Sequence, residues 1–172
     1  MEARPNSVTK ATALKTSIFT KLSFLKLHPK ISFSTPVQYD SSHRYVSLSD
    51  GTTANRLDIV YWQNTANQIT ARLTVGGVQQ ARYDIIISNE LLYNKFALSW
   101  KTNQIKFFIN GQQQGTTDTS ASVPPANTFN TLNFDRGDGL EPFYGKIRDI
   151  RVYNTKEMTD SEVDILLTKI TS

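Results

Sequence analysis

The sequence predicts an all-β fold, a sandwich of two antiparallel sheets with one short α-helix at the C-terminal end. Three observations predict it. Past Pro29, short runs rich in Val, Ile, Tyr, Phe and Thr are separated by turn signals at Asp50-Gly51, Asn64 to Asn67, Gly76-Gly77, Asn110-Gly111, Pro124-Pro125 and Gly137 to Gly139. The signals recur about every 8 to 15 residues with no helical period between them, which suits antiparallel strands rather than strand-helix-strand units. A helical period is confined to the last dozen residues.

Taken in order, Asn55 to Asn64 and Gln68 to Val75 read as a hairpin. Only a connecting loop with an odd number of residues, such as Thr65-Ala66-Asn67, keeps the alternation of both strands on one face. That register pairs Leu57 with Val75, Ile59 with Leu73 and Tyr61 with Ala71. A tight turn at Gly76-Gly77 then pairs Val75 with Val78 and Thr70 with Tyr83. The segment from Asn94 to Gly115 reads as two strands closed by Asn110-Gly111, because that dipeptide tolerates the positive backbone angles of a two-residue hairpin turn. Phe143 to Asn154 is a further strand. Thr159 and Glu162 form a capping box, and Val163, Leu166, Leu167 and Ile170 follow at one-face helical spacing, so the helix seals the sandwich.

The blocks SLSDGTTANRL (47–57), LTVGGV (73–78), NKFALSWKTNQIKFFINGQQQG (94–115) and FYGKIRDIRVYN (143–154) stand in a characteristic order and spacing. In this the chain resembles the laminin-G-like, concanavalin A-like lectin/glucanase jelly rolls often found in phage tail and virion proteins, over roughly residues 31 to 170. The resemblance implies a two-sheet jelly-roll sandwich, and a place on a virion or extracellular surface. Such folds host enzymes, lectins and structural modules alike, so function has to be argued from residues.

A chain of 172 residues suits a single domain whose core buries roughly 70% of the unfolded surface. Cysteine is absent, which removes thiol nucleophiles and zinc ribbons, and His28 and His43 show no ligand spacing. No apolar run approaches the roughly 20 residues that span a bilayer, so no transmembrane segment is expected. The net charge of +4 is localised: residues 1–43 carry Arg4, Lys10, Lys15, Lys21, Lys26 and Lys30 against Glu2 and Asp40, while the rest of the chain is balanced. The sandwich therefore offers no footprint for a specific nucleic acid. Residues 1–28 are expected to be a basic attachment or linker arm that docks on other virion or surface-assembly proteins, with residues 29–172 as the jelly-roll domain. A strand near Ile18 to Leu27 and a targeting segment are the alternatives for the arm.

Catalysis is not expected. Concanavalin A-like glucanases place Glu-x-Asp-x-Glu on one strand, so that alternate carboxylates sit about 5 Å apart across a scissile bond. Here only Asp160, Glu162 and Asp164 have that spacing, and they open the terminal helix, where acids stabilise the positive dipole end. Asp138 and Glu141 flank a turn.

A binding face is expected instead on the outer side of the 55–83 meander. The expected register lays out Trp62, Thr70 and Tyr83 in one row, Val60, Arg72 and Ala81 in the next, and Asp58, Thr74 and Gln79 in a third. A sugar has an apolar C–H face and a rim of hydroxyls, and it favours an aromatic platform beside Arg, Asp and Gln. Trp62, Arg72, Tyr83, Asp58, Thr70 and Gln79 are thus the candidate ligand residues, and a surface glycan is the expected partner. The alternative is a structural virion subunit, for decoration, fibre or tail, using the same face for protein contacts; a homo-oligomer is compatible with either.

The resemblance to laminin-G-like domains also implies a rim calcium site, for which Asp50 (with Asn55), Asp135 and Asp138 are the candidates. Calcium takes about six to eight oxygens, and neither cluster supplies more than two side chains, so turn-forming roles and no cofactor are expected. Arg136-Gly137-Asp138 spells an integrin-type tripeptide in a Gly-rich loop, and is read as loop structure.

Overall fold

A computed structural model of the chain describes residues 23–29, 42–61, 65–90, 92, 94–143, 147–154 and 158–172. The strands are β1 Ser23–Pro29, β2 Arg44–Ser49, β3 Arg56–Tyr61, β4 Gln68–Val75, β5 Val78–Ile86, β6 Phe96–Lys101, β7 Gln104–Ile109, β8 Gln112–Asp118, β9 Thr131–Asn133 and β10 Ile147–Asn154, followed by the helix α1 Asp160–Thr171. They form two five-stranded antiparallel sheets, ordered β10-β1-β6-β7-β8 and β5-β4-β3-β2-β9.

Alternation fixes which side chains meet between the sheets. Leu57, Ile59 and Tyr61 of β3, Ile69, Ala71 and Leu73 of β4, and Val46 and Leu48 of β2 point inward. They face Phe96, Leu98 and Trp100 of β6 and Ile105, Phe107 and Ile109 of β7. Aromatic rings line the interior: Tyr61 meets Phe96 edge-on across the two layers at 5.8 Å, and Phe96 stacks on Phe107 within its own sheet at 6.2 Å. A large shared apolar interior of this kind is what holds a sandwich without disulfides.

The helix lies on the outer side of the first sheet, where Val163 and Leu167 pack on Ala97 and Phe108 to form a second, smaller core. Its capping box is made as expected: Thr159 N donates to Glu162 Oε2 at 2.7 Å, and Glu162 N donates to Thr159 Oγ1 at 3.3 Å. Lys101 Nζ reaches Asp160 at 2.8 Å, and Lys106 Nζ reaches Asp164. The three helix acids are therefore bound to the sheet or to the cap. The side chain of Ile170 lies outside the described residues.

Two expectations about the chain's organisation are corrected. The boundary placed between residues 28 and 29 falls inside β1, which pairs with β10 on one side and β6 on the other. A strand with partners on both edges is part of the sheet, and neither an arm nor an edge addition. The segment from Asn94 to Gly115 makes three strands instead of two, because Thr102-Asn103 forms a second turn, with Asn103 at φ 56°. Asn103 lacks the following glycine that marks Asn110-Gly111, where both residues have positive φ as expected. The rest of the basic segment, residues 1–22, lies outside the described residues.

Candidate functional site

The outer face of the β5-β4-β3-β2-β9 sheet carries the residues singled out for ligand binding. The β3–β4 register is Leu57 with Leu73, Ile59 with Ala71 and Tyr61 with Ile69, two residues from the expected one. Because the slip is even, each side chain of this pair keeps its expected face. The β4–β5 turn is as expected, with Val75 opposite Val78 and Thr74 opposite Gln79. Between Leu73 and Thr74 the register then shifts, so that Leu73 pairs with Ala81 and Ala71 with Tyr83. One extra residue, Gln80, turns everything after it to the opposite face.

Tyr83 is consequently a core residue and leaves the candidate site. Its ring lies 6.0 Å from that of Phe107, and its hydroxyl donates to the Ile105 carbonyl at 2.7 Å and accepts from Asp118 N at 3.2 Å. Gly115, at φ +65°, crosses the ring so closely that a β-carbon there would sit 3.2 Å from it. Ala81 is likewise in the core. Trp62 lies outside the described residues.

The rows that do form on the outer face run across four or five strands. One holds Asn133, Ser47, Asp58, Arg72 and Arg82; the next holds Thr131, Ser49, Arg56, Thr74 and Gln79. A third holds Tyr45, Val60, Thr70 and Asp84. Asp58 and Arg72 are therefore brought together, Thr70 stands in the neighbouring row beside Asp84, and Gln79 sits at the exposed end.

The middle of this face is a buried ionic cluster. Asp58 has no exposure; its Oδ2 accepts from Arg72 Nη2 at 3.0 Å and Nε at 3.3 Å, and forms an ion pair with Arg56, whose Nε lies 2.9 Å away without hydrogen-bond geometry. Each guanidinium also lies 5.9 Å from the centre of the Tyr45 ring. Burial pushes the Asp58 carboxyl above its ordinary value, against the pull of Arg72 and Arg56, and burial likewise raises the Tyr45 hydroxyl. Asp58 Oδ1 has no hydrogen-bond partner among the described residues. The expected solvated platform is in this region a self-paired floor.

The side of the face near β5 is different. Asp84 keeps 41% of its side chain exposed and is held by three donors: Thr70 Oγ1 at 2.6 Å, Gln68 Nε2 at 3.1 Å and Arg82 Nε at 2.7 Å. Burial would raise its carboxyl, but the hydrogen bonds from Arg82 and Thr70 outweigh this and hold it below the ordinary value. On the β2 side the loop after β9 lies across the strand ends: Ser47 Oγ donates to the Asp135 carbonyl at 2.9 Å, and Arg56 Nη1 to the Arg136 carbonyl at 3.3 Å. Tyr45, Ser47, Ser49 and Arg56 were missed from the sequence. The alternation of Val46 and Leu48 with Ser47 and Ser49 was the signal that could have found them.

The calcium candidates have structural partners. Asp50 takes Thr52 N and Oγ1 on one oxygen, at 2.9 and 2.6 Å, and Asn55 Nδ2 on the other at 2.8 Å. Asp135 Oδ1 accepts from Gly137 N at 2.6 Å and Gly139 N at 3.3 Å. Asp138 is paired with Arg136 at 2.7 Å, so the ends of the Arg-Gly-Asp tripeptide bind each other. Among the described residues no group of three or more His, Asp or Glu side chains is arranged to hold a metal.

A two-sheet antiparallel jelly roll with a polar outer face defines a lectin-type sandwich. The family model described as the concanavalin A-like lectin/glucanases superfamily matches residues 22–164, and the chain belongs to that family. Among solved structures, the CBM40 of the Ruminococcus gnavus IT-sialidase, bound to α2,3-sialyllactose, superposes with a TM-score of 0.63 at 19% identity, covering 89% of this chain and 84% of that one. The native heptameric SAP-like pentraxin of Limulus polyphemus superposes at 0.53 and 13% identity, covering 90% and 70%. At these identities the likeness is one of fold. A search of curated proteins finds no match.

Proposed function

We propose that the chain is a non-catalytic carbohydrate-binding module, displayed on a virion or extracellular surface, that takes its glycan along the outer face of the β5-β4-β3-β2-β9 sheet. The observation that carries this reading is the Arg82–Asp84–Thr70–Gln68 group, in which an exposed carboxylate and its neighbours are already oriented by mutual hydrogen bonds. Sugar hydroxyls are bound at low entropic cost by polar side chains fixed in advance. The superposed CBM40, a carbohydrate-binding module of the same fold, supports a carbohydrate ligand without specifying its charge.

Absence of catalysis is part of the proposal. A general acid or nucleophile must touch the glycosidic bond, whereas Asp58 is enclosed between two arginines, and Asp160, Glu162 and Asp164 serve the helix and its contacts. Attachment to a larger assembly through the basic residues ahead of β1, Arg4, Lys10, Lys15 and Lys21, belongs to the same proposal.

A glycan array probed with the whole chain tests the reading. Binding is expected to selected glycans, lost in Arg82→Ala and Asp84→Ala while both variants still unfold cooperatively, with no release of product from bound oligosaccharides. An array without a single bound glycan overturns it.

A further inference from the structure

We infer that the glycan taken by this face is a neutral one, and that sugars bearing a carboxylate or sulfate are disfavoured; this rests on the carbohydrate-binding reading above. The argument is the pairing of the arginines. Among the described residues four guanidiniums belong to this face and the loop beside it, and each is engaged by a carboxylate of the chain itself. Arg56 and Arg72 hold Asp58 at 2.9 and 3.0 Å. Arg82 holds Asp84 at 2.7 Å, while Arg136 holds Asp138 at 2.7 Å and approaches Glu141 at 3.5 Å. Four cations thus meet four carboxylates, and among the described residues this group carries no excess positive charge.

An acidic sugar would have to draw a guanidinium from its own partner, and in a cluster where Asp58 has no exposure the stranded carboxylate would stay buried without a counter-charge. It would also meet Asp84 at the β5 side, or Asp138 and Glu141 at the β2 side, whose side chains are 41%, 27% and 33% exposed and repel a second anion. A neutral sugar meets no such obstacle. Its hydroxyls donate to the carboxylate oxygens of Asp84 that face water, leaving every ion pair in place.

The test compares neutral glycans with counterparts that differ only by a terminal sialic acid, a uronate or a sulfate, first on an array and then by calorimetric titration of the best pair. The expected result is binding of the neutral member with the acidic one weaker. Wild-type protein that binds the acidic member as tightly or more tightly overturns the inference and leaves the glycan reading standing; a chain that binds neither overturns both. Asp84→Asn and Asp138→Asn each remove one of the carboxylates that pair the arginines of this face and its loop. Either substitution is expected to shift the acidic-to-neutral affinity ratio toward the acidic member by about tenfold, the worth of one charge-assisted hydrogen bond. A ratio unchanged in both variants shows that arginine pairing does not set the preference.

Discussion

Arg72 faces Asp58 directly across the β3–β4 ladder, and its Nη2 lies 3.0 Å from an oxygen of a carboxylate with no exposure to water. Arg56 shares the same oxygen, so one buried anion holds two guanidiniums. Asp58→Ala leaves both cations enclosed without their partner, and a stability loss of about 3 to 5 kcal/mol is expected. Urea denaturation measures it. A loss below about 1 kcal/mol would show that the cluster is solvated and not a buried floor.

Tyr83→Phe separates the two placements of this residue. In the core it loses the bond to the Ile105 carbonyl and the contact with Asp118 N, so stability should fall by about 0.5 to 1.5 kcal/mol. Glycan binding should be unchanged, since the ring points away from the outer face. A selective loss of binding at constant stability would return Tyr83 to the ligand face.

Gly137 sits where the loop after β9 presses on β2. A β-carbon there would lie 3.1 Å from the Thr52 carbonyl and 3.2 Å from Ser49, at a φ of +100° that side chains avoid. Gly137→Ala is expected to cost about 1 to 3 kcal/mol and to loosen the 135–141 loop. Hydrogen exchange of the amides of Gly137 and Gly139, which are bound to Asp135, would report the loosening.

The pH dependence follows from which carboxylates are shifted and in which direction. Asp50 is held below its ordinary value by hydrogen bonds from Thr52 and Asn55, Asp138 by Arg136, and Asp160 by Lys101. A carboxyl lowered on folding contributes stability above its unfolded value, near pH 4, and that contribution is lost as pH falls through the folded value. Asp58 is raised by burial and runs the other way, its contribution being lost as pH rises through its folded value. The lowered groups are more numerous, so the melting temperature should be level above about pH 5 and drop below about pH 4. Calorimetry over that range checks it, and a rise on acidification would contradict the assignment.

Deleting residues 1–28 removes nearly all of β1, whose partners are β10 and β6. β10 would be cut off from β6, β7 and β8, and the truncated chain is expected to be insoluble or molten. A cooperative thermal transition in that variant would show that β10 can pair with β6 directly.

What the sequence determined by itself is local. The Asn110-Gly111 turn, the capping box of Thr159 and Glu162, the turn-capping roles of Asp50 and Asp135, and the inward alternation of Leu57, Ile59 and Tyr61 all depend on neighbours a few residues away. Tertiary structure decided the rest. Gln80 is a bulge only because Leu73 pairs with Ala81 across the sheet, and that single extra residue moved Tyr83 from the ligand face to the core. Whether Ser23–Pro29 forms a strand depends on Leu98 and Val152, partners too distant in the chain to leave a periodic signal near Leu25. Asp58 reads as one more solvated acid until β2 brings Tyr45 beside its row and β4 brings Arg72 opposite, for burial and charge pairing are set by the neighbouring strands and not by the strand that carries the residue.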